Sequence, residues 1–134
     1  RIAYNAIPSV VYTNPEIACI GLTEKDLNEI HEGDFAPSMS TDEPFVPYEV
    51  HKLPMTFSGR FVAENEGETG LCKVIVDKRN KTIMGVHMIG NPCSEFVAAA
   101  SFAVRMGYTV GEFKQVVFPH PTVGEVLREV IMEA

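Results

Sequence analysis

The stretch "LCKVIVDKRNKTIMGVHMIG", Leu71 to Gly90, constrains the fold more than any other. Two apolar runs rich in β-branched residues flank a short charged turn, the pattern of a β-hairpin. A connection this short joins antiparallel neighbours only, since parallel strands need a crossover of a dozen residues or more. The next residues, "NPCSEFVAAASFAVRMG", switch to a helical pattern. Asn91 is the expected N-cap, Pro92 is preset for the first helical position, and Gly107 suits the C-terminal end.

Ahead of the hairpin, "SVVY" (Ser9 to Tyr12) and "IACIGL" (Ile17 to Leu22) read as strands around an Asn14-Pro15 turn. Thr23 and Asp26 form a capping-box variant that opens a short helix. His31 to Pro54 is polar and proline-rich, and is expected to be a long loop or ragged strand. Pro54 to Glu64 reads as a strand bent at Ser58-Gly59. Beyond the long helix, Thr109–Glu112 and Thr122–Glu125 each have the T-x-x-E spacing that starts a helix. The order is strands, helix, strands, hairpin, then three helices, with no βα alternation. The expected fold class is α+β: an antiparallel sheet with helices packed on one face. At 134 residues the chain is expected to form a single domain.

The helix body from Phe96 to Val104 is apolar on nearly every face, which marks a helix buried on all sides. A domain of this size struggles to surround such a helix, so a partner surface is expected there. With a net charge of −7 and only 11 scattered basic residues, nucleic acid is not an expected partner. No apolar run approaches the ~18 residues of a membrane span, so none is expected to enter a bilayer. The three cysteines, Cys19, Cys72 and Cys93, are odd in number and lack C-x-x-C, so a disulfide framework or zinc site is not expected and a reducing compartment is.

Among candidate catalytic groups, His120 stands between Pro119 and Pro121 in "VFPHPTVGEVLRE". Imidazole titrates near neutrality, so a firmly held histidine can both take and give a proton. Glu125, five residues on, could fix the ring's orientation from the first turn of the last helix. On spacing alone the blander reading has more weight: Glu125 a capping residue like Glu112 and Asp26, and His120 a loop residue filling a turn. Cys93, in the first turn of its helix, is either a thiol activated by the helix dipole or a small buried hydrophobe. His87 reads as a packed strand residue, and Cys19 and Cys72 as core. No G-x-G-x-x-G, phosphate loop or G-x-S-x-G elbow occurs, so the chain shows no dinucleotide site of its own.

Taken in order, these segments resemble the flavoprotein disulfide reductases. "HPTVGE" resembles the C-terminal HPT-x-x-E signature of that family, in particular of its dihydrolipoyl dehydrogenase branch. "VVYTNPEIACIGLTE" and the hairpin–helix segment from Gly70 to Phe113 resemble two further family segments. The resemblance covers roughly Pro8 to Glu29 and Phe57 to the end; residues 31–54 match nothing in it. "FPHP" stands where many dihydrolipoyl dehydrogenases have "HAHP", and His120 stands where the related mercuric reductases carry tyrosine.

The resemblance implies the C-terminal dimerisation domain of a homodimeric enzyme, without its FAD and NAD domains and without the redox-active disulfide. No cofactor is then expected on this chain alone, and the chain alone is expected to be inactive. His120 would be the general base toward dihydrolipoamide and Glu125 would hold its imidazole. Pro121 would follow a cis peptide bond and lie near the partner subunit's FAD. The apolar helix would face the dimer partner. A cytoplasmic, bacterial setting is expected in preference to a mitochondrial matrix. The alternatives are a glutathione-type reductase or a stand-alone dimerisation module.

Overall fold

The computed structural model describes residues 1–32 and 46–134. Its centre is the expected hairpin, β4 (Leu71–Asp77) and β5 (Ile83–Ile89), with Val74 opposite Val86 and Cys72 opposite Met88. The turn is tied at Asp77, whose carboxylate accepts from the Arg79 backbone N–H at 2.8 Å and from its guanidinium at 2.9 Å. Around the hairpin, β1 (Ser9–Val11), β2 (Ile17–Gly21) and β3 (Tyr48–Leu53) complete an antiparallel sheet ordered β1-β2-β5-β4-β3.

Alternation along the strands sends Cys72, Val74, Val86 and Met88 to one face, with Ala18 and Ile20 of β2. Two amphipathic helices cover that face. From α3 (Cys93–Met106) come Val97, Ala100 and Ala103; from α5 (Glu125–Glu133) come Val126, Leu127, Val130 and Ile131. Full burial of an aliphatic side chain of this kind contributes about 1.5–3 kcal/mol, so this seam dominates the fold's stability. The short α4 (Val110–Phe113) joins them and adds Val110 and Phe113 to the same core. The α+β class and the grouping of α3, α4 and α5 are as expected. A fourth helix, α1 (Glu24–Glu32), buries Leu27 outside that seam and is tied to residues of the opposite strand alternation: Lys73 Nζ meets Glu24 at 3.0 Å, and Tyr48 Oη donates to Asn28 at 3.0 Å.

Four expectations are narrowed or corrected. First, of the two readings of residues 31–54, loop or ragged strand, Tyr48–Leu53 takes the strand: it is β3, paired with β4 from Tyr48–Asp77 to Leu53–Cys72. Its "YEVHKL" alternates weakly because it is an edge strand of intermediate burial. The remainder of the expected loop, residues 33–45, lies outside the described residues.

Second, Pro54–Glu64 is not a bent strand but a 3-10 turn, Met55–Phe57, followed by α2 (Gly59–Glu64). Ser58 is the N-cap of α2, and its Oγ accepts from Phe61 N–H at 3.2 Å. Third, Asn91 does not cap α3. Its side chain accepts from Glu16 N–H at 2.8 Å and donates to Asn14 at 2.8 Å, leaving Pro92 in the cap position.

Fourth, the chain does not by itself surround α3, in keeping with the expectation that a domain of this size could not. Phe102 and Met106 are 68% and 61% exposed, on the side away from the sheet. Gly107 ends α3 as expected, at φ +65°, the left-handed region that glycine enters without a side-chain clash. Among the described residues no helix is long and apolar enough to cross a membrane.

Candidate functional site

The turn from Phe118 to Gly124 connects α4 to α5 and carries the histidine. It is anchored on its entry side by Phe118, half-buried in the core with its ring 5.8 Å from that of Phe113. It is anchored on its exit side by Val123, which is buried, and by Gly124, where a Cβ would come within 3.2 Å of Phe96 on α3. The absence of a side chain at Gly124 thus lets the turn sit against α3. Between these anchors the side chains from Pro119 to Pro121 face solvent. The His120–Pro121 peptide bond is cis.

His120 and Glu125 meet. The Nδ1 of His120 lies 2.9 Å from each carboxylate oxygen of Glu125, so the carboxylate straddles one ring nitrogen. With the proton on Nδ1 shared toward the carboxylate, the lone pair falls on Nε2. Nε2 makes no hydrogen bond among the described residues. The His120 side chain is 77% exposed while that of Glu125 is only 14% exposed. An ion pair this open contributes about 0–1 kcal/mol, so stability is a weak reason for it.

The two readings of Glu125 separate on geometry. At Thr109–Glu112 the capping box is complete, with Glu112 N–H donating to Thr109 Oγ1 at 3.2 Å and Thr109 N–H to Glu112 at 2.8 Å. The Thr109 N–H, and then its hydroxyl at 3.0 Å, donate to the Glu112 carboxylate and hold that carboxyl below the usual range. Thr23–Asp26 is reciprocal in the same way, at 2.8 and 3.0 Å. Thr122–Glu125 is only half a box. Thr122 N–H donates to Glu125 at 3.3 Å, but Thr122 Oγ1 turns away and donates to the Pro119 carbonyl at 2.8 Å. α5 accordingly begins at Glu125 with no side-chain cap. Glu125 faces the imidazole first and the backbone second.

The activated-thiol reading of Cys93 fails. The side chain is fully buried, and burial pushes its thiol up to about 11, with the neighbouring Glu16 carboxylate adding to the effect. Its Sγ donates to the Glu16 carbonyl at 3.4 Å. Cys72 is buried and pushed up to about 12, first by burial and then by Cys93, and Cys19 is raised chiefly by burial. His87 is bound to the Leu22 carbonyl at 2.9 Å, the packed strand residue expected. Among the described residues no cluster of three or more His, Cys, Asp or Glu could hold a metal.

A groove of about 350 Å³ lies behind the turn, lined by Arg60, Glu64, Phe96, Phe118 and Pro119 among others, but His120 does not line it. The contacts that sequence reasoning missed come from α2. Arg60 Nη1 donates to the Pro121 carbonyl at 3.3 Å and Ser58 Oγ to the Thr122 carbonyl at 2.8 Å. The signal was present, since Ser58 followed three residues later by Phe61 fits an N-cap opening a helix, but Ser58-Gly59 also reads as a bend.

The antiparallel domain thus presents an oriented, exposed His–Glu pair and, on α3, exposed apolar side chains. The chain belongs to the family described as the pyridine nucleotide-disulphide oxidoreductase dimerisation domain, whose model matches residues 7–131. It is homologous to dihydrolipoyl dehydrogenases. It is 36% identical over 134 residues to the mitochondrial dihydrolipoyl dehydrogenase of Caenorhabditis elegans, covering all of this chain and 24% of that protein. It is 34% identical over 132 residues to dihydrolipoyl dehydrogenase 3 of Pseudomonas putida, covering 98% and 25% respectively. The chain thus spans about a quarter of the length of these curated relatives. The solved LpdA of Mycobacterium tuberculosis shares the fold, with a TM-score of 0.79 at 20% identity over 98% of this chain and 26% of that one. So does the HOCl-induced flavoprotein disulfide reductase RclA of Escherichia coli, with a TM-score of 0.77 at 19% identity over 96% and 26%.

Proposed function

We propose that this chain is the dimerisation domain of a homodimeric dihydrolipoyl dehydrogenase and supplies the general base of its dihydrolipoamide half-reaction. The observation that carries this reading is the Glu125 carboxylate straddling His120 Nδ1 at 2.9 Å while the ring is open to a second surface. The Nε2 lone pair would take the proton of one substrate thiol. The resulting thiolate attacks one sulfur of a protein disulfide, forming a mixed disulfide and releasing the other sulfur as thiolate. The second substrate thiol passes its proton to the thiolate just released and displaces the remaining protein sulfur, closing the substrate disulfide. The substrate leaves as a cyclic disulfide, the protein disulfide is reduced to a dithiol, and the imidazolium, stabilised by Glu125, returns the proton.

The reading places the disulfide, FAD and NAD in the rest of the protein. FAD and NAD would there carry the electron pair away from the dithiol. The described sheet is antiparallel and the sequence lacks G-x-G-x-x-G, so neither matches the parallel-sheet dinucleotide fold such cofactors commonly use. Pro121 is assigned only a place beside the partner subunit's flavin. The chain alone is therefore expected to be colourless and inactive. The exposed Phe102 and Met106 on α3 support its outer face as the dimer contact. The three free thiols fit a reducing compartment, the cytoplasm on this reading.

The test is His120→Gln in the full-length protein. Lipoamide-linked turnover should fall by about 10²–10⁴-fold, the contribution of a positioned general base. Near-normal turnover would overturn the assignment. A wild-type preference for glutathione disulfide in the same assay would favour the glutathione-type alternative.

A further inference from the structure

We propose that Ser58 and Arg60 are positioning residues for His120, an inference that rests on His120 being the base. The two backbone carbonyls immediately after the histidine, those of Pro121 and Thr122, each receive a donor from one short segment. Arg60 Nη1 reaches the first at 3.3 Å and Ser58 Oγ the second at 2.8 Å. That segment is 61 and 64 residues away in the chain, so the contacts are tertiary and not part of the turn's own closure.

Ser58 is fully buried and both sides of its hydroxyl are used. A lone pair caps α2 through Phe61 N–H, which any acceptor could do. The single proton is spent on Thr122, which an acceptor-only cap such as aspartate could not supply.

Thr122 passes this constraint on. Its carbonyl is held by Ser58, its N–H donates to Glu125 Oε2 at 3.3 Å, and its hydroxyl donates to the Pro119 carbonyl at 2.8 Å. Thr122 therefore bonds the residue before His120 and the carboxylate that orients His120. Shifting Thr122 moves both. Arg60 holds the adjacent carbonyl with a guanidinium that is itself fixed, because its Nε donates to Glu64 Oε1 at 2.7 Å across one helical turn. The turn is open to solvent, so nothing else among the described residues braces the histidine from that side. α2 thus aims the ring without touching it.

The experiment is a double-mutant cycle in the full-length protein, measuring kcat and KM for dihydrolipoamide. Ser58→Ala should lower kcat by about 10–100-fold, the cost of displacing a catalytic group by an ångström or less, with KM within about twofold. Arg60→Gln should lower kcat by a smaller ~2–10-fold, with part of the loss recovered in Arg60→Lys. In a His120→Gln background neither substitution should lower kcat further. Equal losses in both backgrounds, or no loss in either, would overturn the inference. If Ser58→Ala does not fold, the exposed Arg60 carries the test. A fully active His120→Gln protein would remove the reading of His120 as base, and this inference with it. A crippled His120→Gln with additive Ser58 and Arg60 effects would remove this inference alone.

Discussion

Replacing Glu125 by glutamine changes one charge and almost no volume, so it separates orientation of the imidazole from capping of α5. In the native turn two carboxylate oxygens serve three contacts, both to His120 Nδ1 at 2.9 Å and one also from Thr122 N–H at 3.3 Å. Glutamine keeps one acceptor oxygen, uncharged, which can still receive Thr122 N–H as Oε2 does now, while the second oxygen on the ring becomes a donor NH2. The charge-assisted bond becomes a neutral one, and because His120 is 77% exposed the loss at the ring is held to about 1 kcal/mol at most. Freedom for the ring to rotate adds to it, giving an expected kcat between about 10- and 100-fold below wild type.

Stability should hardly change, because an ion pair with a 77% exposed histidine contributes only about 0–1 kcal/mol. The assay pairs steady-state turnover of the full-length protein with its thermal unfolding. Glu112→Gln is the internal control, since it makes the same chemical change in the complete box at α4. It should loosen that helix and leave turnover alone. If Glu125→Gln behaves like Glu112→Gln, with lowered melting temperature and intact kcat, Glu125 is a capping residue and the reasoning fails.

Other expectations follow from the same structure. Burial alone would raise Asp77, but its bonds to Arg79 hold its carboxyl below the usual range. Its contribution is therefore present above the unfolded carboxyl's pKa and is lost as pH falls through the lower folded value. Asp77→Asn should cost about 1 kcal/mol at pH 7 and nothing in strong acid, and a pH-independent loss in unfolding scans would refute this. With its thiol pushed up to about 11, Cys93 should resist iodoacetamide at pH 7.5 in native protein, where roughly one molecule in a few thousand carries the thiolate, and rapid native labelling traced by mass spectrometry would contradict its burial. Phe102→Asp, on the open face of α3, should shift the full-length protein toward monomer in sedimentation, and an unchanged dimer would move the interface elsewhere.

What could be read in the sequence was whatever rests on local pattern. The β4–β5 hairpin declares itself through β-branched runs on both sides of a charged turn, and the Thr109–Glu112 box and Gly107 stop need only neighbours in the chain. The His120–Glu125 spacing was legible, but not which way Thr122 would point, because its hydroxyl answers to the Pro119 carbonyl. The open and mistaken readings arise where a distant partner decides. β3 is a strand because β4 offers it an edge, against a proline-rich flank and a weak alternation. Asn91 ignores its own helix because Glu16, 75 residues earlier, supplies an N–H. Ser58 looked like a bend until α2 and the Thr122 carbonyl gave its hydroxyl two partners. Tertiary context overrode local signal at each of these places.

The strand order β1-β2-β5-β4-β3 also has a consequence for how the chain is made. β2 pairs with β5 from Ile17–Ile89 to Gly21–Gly85, so its inner edge waits for partners 72 to 64 residues further along. At ~5–20 residues per second of synthesis, that edge is without its neighbour for about 3–14 seconds. Throughout that interval Ala18 and Ile20, later sealed in the core, have β1 beside them but lack β5. The nascent chain should therefore be most prone to capture by chaperones or by its own copies before the hairpin emerges, and safest once β5 zips onto β2.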